Sequence, residues 1–242
     1  RALAYQNIQN KDEAIKDYKA ILKDHPAHSS APSALLSLQE LLSEAGRMNE
    51  LNAVLANYKK VNPNSQALLT IELRKAEQAF FDGDYKNAIR LFKAYIQKYP
   101  DGGSPNAKYY LGEAYLSVND KLNALRYHML VVQEQKSTYM ERSMRRVGDL
   151  LYAQQKYRAA IDSYQLLASI TKSSRNQIKA WEGLMNTYYE IKKLDSSRYF
   201  ANEIITKGNS ELAKNKAMLY VAQSYYDQNQ YDKALPLFKK VS

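Results

Sequence analysis

Apolar positions in this chain fall three and four residues apart, the spacing of helices, and not in the alternation of strands. The segment 109–132, YYLGEAYLSVNDKLNALRYHMLVV, shows this most clearly. It predicts two amphipathic helices joined by a tight turn at Val118 to Lys121. Gly112 leaves room for another helix to come close, and Tyr115 and Ala124 flank the turn where two antiparallel helices would touch. With only 8 Gly and 6 Pro in 242 residues, little interrupts the helical pattern elsewhere.

The pattern repeats. Pro26, Pro63 and Pro100 close the phrases AILKDHP, NYKKVNP and AYIQKYP at equal steps of 37 residues. Each follows an apolar helical run and stops it, because proline lacks the N–H that would continue the helix. A small residue recurs near the start of each predicted second helix: Ala14, Ala88, Ala124, Ala160 and Ala234, with Leu51 and Ser197 in the two remaining places. Four residues on, along the same helix face, come Tyr18, Leu55, Phe92, His128, Tyr164, Ala201 and Phe238. The turns carry Asp82-Gly83-Asp84, Asn119-Asp120, Gln154-Gln155 and Gln228-Asn229, several of them turn and cap formers. Pro236 is expected near the first turn of a helix capped at Asp232, where a missing donor costs little.

The chain thus divides into seven helix-turn-helix units, roughly 1–28, 29–64, 65–101, 102–137, 138–173, 174–210 and 211–242, in one array over 1–242. A lone helix pair cannot bury its apolar face, so the units must stack, giving an all-α solenoid. The second unit, with Leu51 in the alanine place, is expected to pack more loosely.

Composition narrows the possible functions. Hydrophobic residues make up 45% and charged residues 25%, which is globular and not disordered. The net charge of +10 raises a polyanion partner as an alternative, but the basic residues are scattered; the densest cluster is Arg142, Arg145 and Arg146. No cysteine is present, so disulfides and thiolate chemistry are excluded. No apolar run approaches the ~18 residues that suggest a membrane span. The chain opens at Arg1 inside a helical pattern and is read as a fragment of a longer protein. Leu237, Phe238 and Val241 leave an apolar end with no evident polar capping helix, where either a further helix of the longer protein or, by self-association, a second copy of the chain is expected to pack.

Trp181-x-x-Leu184 followed by Tyr188, Gly112-x-x-Tyr115 with Ala124, and Ala222-x-x-Tyr225 with Ala234 and Phe238 resemble tetratricopeptide repeats, and the resemblance runs through the whole chain. It departs from the family in having one Trp, a closing Pro only in the first three units, and units of 36 or 37 residues where about 34 is usual. Phrases such as YKNAIRLFKAYIQKYPDGGSPNAKYYLGEAYL are similar to bacterial cell-envelope tetratricopeptide proteins. What the resemblance implies is a right-handed superhelix whose first helices line a concave groove for a protein or peptide partner. It also implies a periplasmic or outer-membrane-associated location, with the cytoplasm as the alternative.

Reading the first helices outward from Ala76, Gly112, Gly148, Met185 and Ala222 gives adjoining stripes for that groove. The candidate partner-binding residues are Asn106, Tyr109, Glu113, Leu116, Arg142, Arg145, Asp149, Tyr152, Lys179, Asn186, Tyr189, Gln223 and Tyr226. Aromatic rings supply apolar area with a hydroxyl for orientation, and the arginines suit a partner carboxylate. The plainer alternative is that Phe80, Tyr152, Tyr189 and Tyr226 pack between neighbouring first helices. The basic residues match only half of the carboxylate clamp of chaperone-binding relatives, with Tyr110 and Glu113 near where its Asn and Lys would stand. No catalytic residues, cofactor or metal site are expected: His25 and His28 flank a turn, His128 replaces a packed aromatic, and no phosphate-cradling glycine loop occurs. Nucleic acid is the disfavoured partner.

Overall fold

The computed structural model describes residues 1–100, 104–134 and 137–241. Among them it is all helical, with α1 Ala2–Asn7, α2 Lys11–Asp24, α3 Ala31–Glu44, α4 Leu51–Val61, α5 Gln66–Phe81, α6 Tyr85–Lys98, α7 Pro105–Ser117, α8 Lys121–Gln133, α9 Met140–Ala153, α10 Tyr157–Ile170, α11 Ser174–Glu190, α12 Leu194–Lys207, α13 Glu211–Asp227 and α14 Tyr231–Val241. A short 3-10 segment, Met48–Glu50, precedes α4. The helices fall in two compact units, Arg1–Gly103 and Ser104–Ser242. Within Ser104–Ser242 each helix packs on the next in sequence from α7 to α14, and the first helix α11 also touches the first helices α9 and α13 on either side. This is the architecture of an α-solenoid.

One turn, used seven times among the described residues, makes the pairs. Gln9, Gly46, Gly83, Asn119, Gln155, Lys192 and Asn229 all have positive φ, between 58° and 80°, and are spaced by 36 or 37 residues. The N–H one residue later, on Asn10, Arg47, Asp84, Asp120, Lys156, Lys193 or Gln230, reaches back to the carbonyl of Tyr5, Leu42, Ala79, Tyr115, Leu151, Tyr188 or Tyr225 at 2.8–2.9 Å. This is the Schellman closure of a helix. The same residue then opens the next helix, and where it is Asn10, Asp84 or Asp120 its side chain accepts a bond from the backbone N–H three residues on. Between pairs, Ser65, Ser104, Ser173 and Ser210 cap α5, α7, α11 and α13. The three repeat-closing prolines act as the sequence implies. The residues before them, His25, Asn62 and Tyr99, share φ near −130° and ψ of 51–65°, off the helix.

The recurrent small positions are buried: Ala14, Ala88, Ala124, Ala160 and Ser197 are wholly inaccessible, and Leu51 and Ala234 nearly so. Contrary to the sequence pattern, Pro236 is not in the first turn of its helix. α14 begins at Tyr231, so Pro236 lies past its first turn, inside the helix, and the carbonyl four residues back lacks its helical donor. No helix of the described residues is long and apolar enough to cross a membrane.

Left-handed backbone costs an L-residue more than glycine. Gln155→Gly and Lys192→Gly are each expected to stabilise the fold by about 0.5–1 kcal/mol, and Gly83→Ala to destabilise it by about 1 kcal/mol. Denaturant unfolding followed by circular dichroism checks this; a loss of stability in both glycine variants contradicts the turn assignment.

A first-helix face in the second unit

Helix spacing is set by a ring held between glycines. A Cβ placed on Gly148 of α9 or on Gly183 of α11 would lie 2.5 Å from the Tyr164 ring of α10. Only glycine lets both first helices approach that ring. On α11 the close approach is therefore at Gly183 and not at Met185, the sequence marker, which is itself buried with Ala201 and Ile204. The Tyr164 hydroxyl donates to Asp149 Oδ1 at 2.7 Å, and burial together with that carboxylate pushes its pKa far up, keeping it a donor. One repeat earlier, Gly112 faces the buried His128 ring in the same way.

On α7, Asn106 sits at the helix start, its N–H held by Ser104, and Leu116 is half-buried near the helix end. Tyr109 stacks on Tyr139 with centroids 4.3 Å apart and meets His128 edge-on. Glu113 is gripped by both forks of Arg146 from α9, at 2.8 and 2.7 Å. His128 Nε2 lies 3.3 Å from Glu113 Oε1, off hydrogen-bond alignment, while its Nδ1 meets Ser143 Oγ at 3.3 Å. Burial raises the Glu113 carboxyl, and His128 and Arg146 more than reverse this, bringing it down to about 2. Arg145 pairs with Asp149 at 3.3 Å, and Arg142 lies over the Tyr139 ring. The arginine cluster is thus mostly engaged within the chain.

The aromatic ladder does two things. The Tyr152 hydroxyl of α9 donates to Glu190 of α11, and one repeat later the Tyr189 hydroxyl of α11 donates to Asp227 of α13 at 2.6 Å. Gln223 shares Asp227, at 2.8 Å. These tyrosines stitch successive first helices, as the plainer alternative supposed, and burial raises Tyr152 to about 12. Tyr226 differs: it is half exposed and touches Tyr231 edge-on.

Between α9 and α11 lies a cavity of about 220 Å³ that brings together Arg145, Asp149, Tyr152, Lys179 and Asn186 with Tyr164, Glu182 and Gly183. Asn186 Oδ1 is buried without a partner among the described residues. A second cavity, about 550 Å³, opens between α11 and α13, lined by Arg175, Ile178, Leu212, Ala213 and Lys216. Lys179 and Glu182, bonded to each other at 2.7 Å, line both. Exposed Leu212 and Leu219 continue the surface along α13 toward Tyr226. Leu212 lies seven residues before Leu219, a signal readable in the sequence. The hydroxyl partners of Tyr152 and Tyr189 were not readable, because they depend on which helices touch.

A family model for the tetratricopeptide repeat matches residues 1–28, 72–102 and 216–242. Over these three stretches the chain carries tetratricopeptide repeats. Solved structures share the fold. A MamA protein aligns with a TM-score of 0.62 at 19% identity, covering 72% of this chain and 89% of that one. MamA from Desulfovibrio magneticus RS-1 aligns with a TM-score of 0.60 at 16% identity, covering 72% and 92%. A putative kinesin light chain of Podosopora anserina, with nearly identical TPR-like repeats, gives 0.56 at 13% identity, covering 74% and 95%. At these identities the likeness is one of fold. A search of curated proteins returns no significant match. Tetratricopeptide repeat proteins are generally non-catalytic protein–protein interaction scaffolds.

Removing Arg146 leaves the Glu113 charge buried, so Arg146→Met is expected to destabilise the second unit by about 3 kcal/mol, with Glu113→Gln recovering much of that in the double variant. Because the folded Glu113 carboxyl is depressed from 4.5 to about 2, its contribution is complete above pH 4.5 and lost as pH falls toward 2. Glu113→Gln removes that part of the acid sensitivity; chemical denaturation across this pH range checks both outcomes.

Proposed function

We propose that the unit Ser104–Ser242 binds an extended or helical segment of a partner protein across the first helices α9, α11 and α13. The observation that carries this reading is the pair of adjoining cavities sharing Lys179 and Glu182, continued by exposed Leu212, Leu219 and Tyr226. Apolar anchors beside oriented polar groups are what a peptide segment uses. Arg175 and Lys216, with no ion pair among the described residues, favour a segment that brings carboxylates. The reading over a polyanion is supported by the arginines themselves: Arg1, Arg47, Arg145, Arg146 and Arg198 each hold a carboxylate of the chain. Asn106, Tyr109, Glu113 and Leu116 act at the edge of this face, chiefly as its support. The resemblance of the repeat phrases to bacterial envelope proteins supports work in the periplasm or at the outer membrane.

The test is a combined Lys179→Ala, Leu219→Ser and Tyr226→Ser variant, which leaves the Tyr152 and Tyr189 stitches intact. Affinity capture from the source cell, compared by quantitative mass spectrometry, is expected to lose at least one protein that the parent chain retains, with an unchanged melting curve. An identical retained set sinks the proposal.

A further inference from the structure

The second repeat departs from the others, and its departure opens a cleft in the first unit. Leu51 fills the place that is alanine in most repeats, 2% exposed. The chain reaches it through the 3-10 turn Met48–Glu50. A larger side chain in that seam holds two helices further apart. Accordingly α4 touches α3 only lightly, leans on α2, and does not pack closely on α5, whereas α2 packs on α3, and α8 on α9. Of α4, only Leu51 and Tyr58 are buried. The space left among α3, α4, α5 and α6 is about 680 Å³, the size of a ligand cleft.

Its lining combines apolar and acidic side chains. Buried Leu51 and Ile71, half-buried Leu55 and Leu91, and the exposed Met48 and 66%-exposed Phe81 supply the apolar part. Glu40, Glu44, Glu77, Asp82 and Asp84 line it against two cations, Arg74 and Lys75, in a chain whose net charge is +10. Arg74 donates to Gln39, and Glu44 is paired with Lys11. Glu77 stands apart. It is half-buried and makes no hydrogen bond or ion pair with any described residue. Its counterparts at repeat spacing are both engaged, Glu113 by Arg146 and Asp149 by Tyr164 and Arg145. The side chain corresponding to Tyr164 is here Phe92, which has no hydroxyl to offer. Burial pushes the Glu77 carboxyl up, against the opposing charge of Arg74.

We propose that this cleft docks a cationic segment of a partner protein, one large apolar side chain seated on Leu55, Leu91 and Phe81 and a neighbouring lysine or arginine paired with Glu77. The acidic lining disfavours nucleic acid, and the unpaired carboxylate has a defined use, since a partner's cation would complete the pair that later repeats complete internally. The site lies wholly in the first unit and is independent of the first-helix face of the second.

Fluorescence anisotropy of the full chain with a labelled Lys-Lys-Phe-Leu-Lys-Lys peptide, and with its Glu-Glu-Phe-Leu-Glu-Glu counterpart, tests it. The cationic peptide is expected to bind, more weakly as salt rises, and the acidic one to fail. Glu77→Gln with Glu40→Gln, and separately Phe81→Ser, should each weaken binding by about tenfold or more. Tyr226→Ser on the other face should leave it unchanged, which separates failure here from failure of the first-helix proposal. Circular dichroism melts confirm folding, and the conservative Glu77→Asp variant should retain part of the affinity. Equal binding of both peptides, no binding of either, or indifference to the cleft substitutions overturns the proposal. So does sedimentation showing that Phe81→Ser breaks a self-associated form, which would give the cleft to a second copy of the chain.

Discussion

The second unit depends on a phenol ring held between two glycines. Tyr164 enters from a second helix and meets Gly148 and Gly183 on the first helices to either side. A methyl group at either glycine would lie at 2.5 Å from the ring, where something must shift. That one contact fixes how close α9 and α11 come, and so fixes the cavity between them. The hydroxyl of the same ring is tied to Asp149, and Asp149 holds Arg145, so packing and surface chemistry meet in one side chain. The next links are local as well. Tyr152 reaches Glu190 and Tyr189 reaches Asp227, each bond joining a first helix to the one after it. A stack built only of such neighbour contacts derives its stability step by step.

The period was legible because the turn recurs, but the reason for the recurrence was only partly so. Gly83 and the Asn119-Asp120 pair announce a left-handed turn. Gln9, Gln155 and Lys192 do not, since neither residue type favours that conformation; the packing of the flanking helices imposes it. The proline stops were readable from sequence, because a proline constrains the residue before it whatever surrounds them. Pro236 misled for the opposite reason: its cost depends on where the helix begins, and a start two residues earlier than expected carried it beyond the first turn.

The candidate face was legible as a set of stripes and less so as chemistry. Residues 36 or 37 apart do share a face, and Arg145, Asp149, Tyr152, Lys179 and Asn186 do line one cavity. What could not be read was which of them the fold itself occupies. Glu113 is claimed by Arg146, 33 residues away, and Tyr189 by Asp227, 38 away; such pairings follow from helix contacts and not from the period. The second repeat shows the same limit. Leu51 marks it as divergent, yet the 3-10 entry into α4 and the cleft it leaves arise from how neighbouring helices meet.

Surface left over once the stack is built is what remains for a partner. Leu219 on the first helix α13 is 44% exposed, and Leu166 on the second helix α10 is 46% exposed, so the two differ in face and hardly in accessibility. Placing a photo-activated crosslinking residue at each position, in the source cell, is the most direct comparison. A crosslinked protein at Leu219 and none at Leu166 is the predicted result. Crosslinks at Leu166 alone, or the same proteins at both positions, would contradict the assignment of binding to the first-helix face.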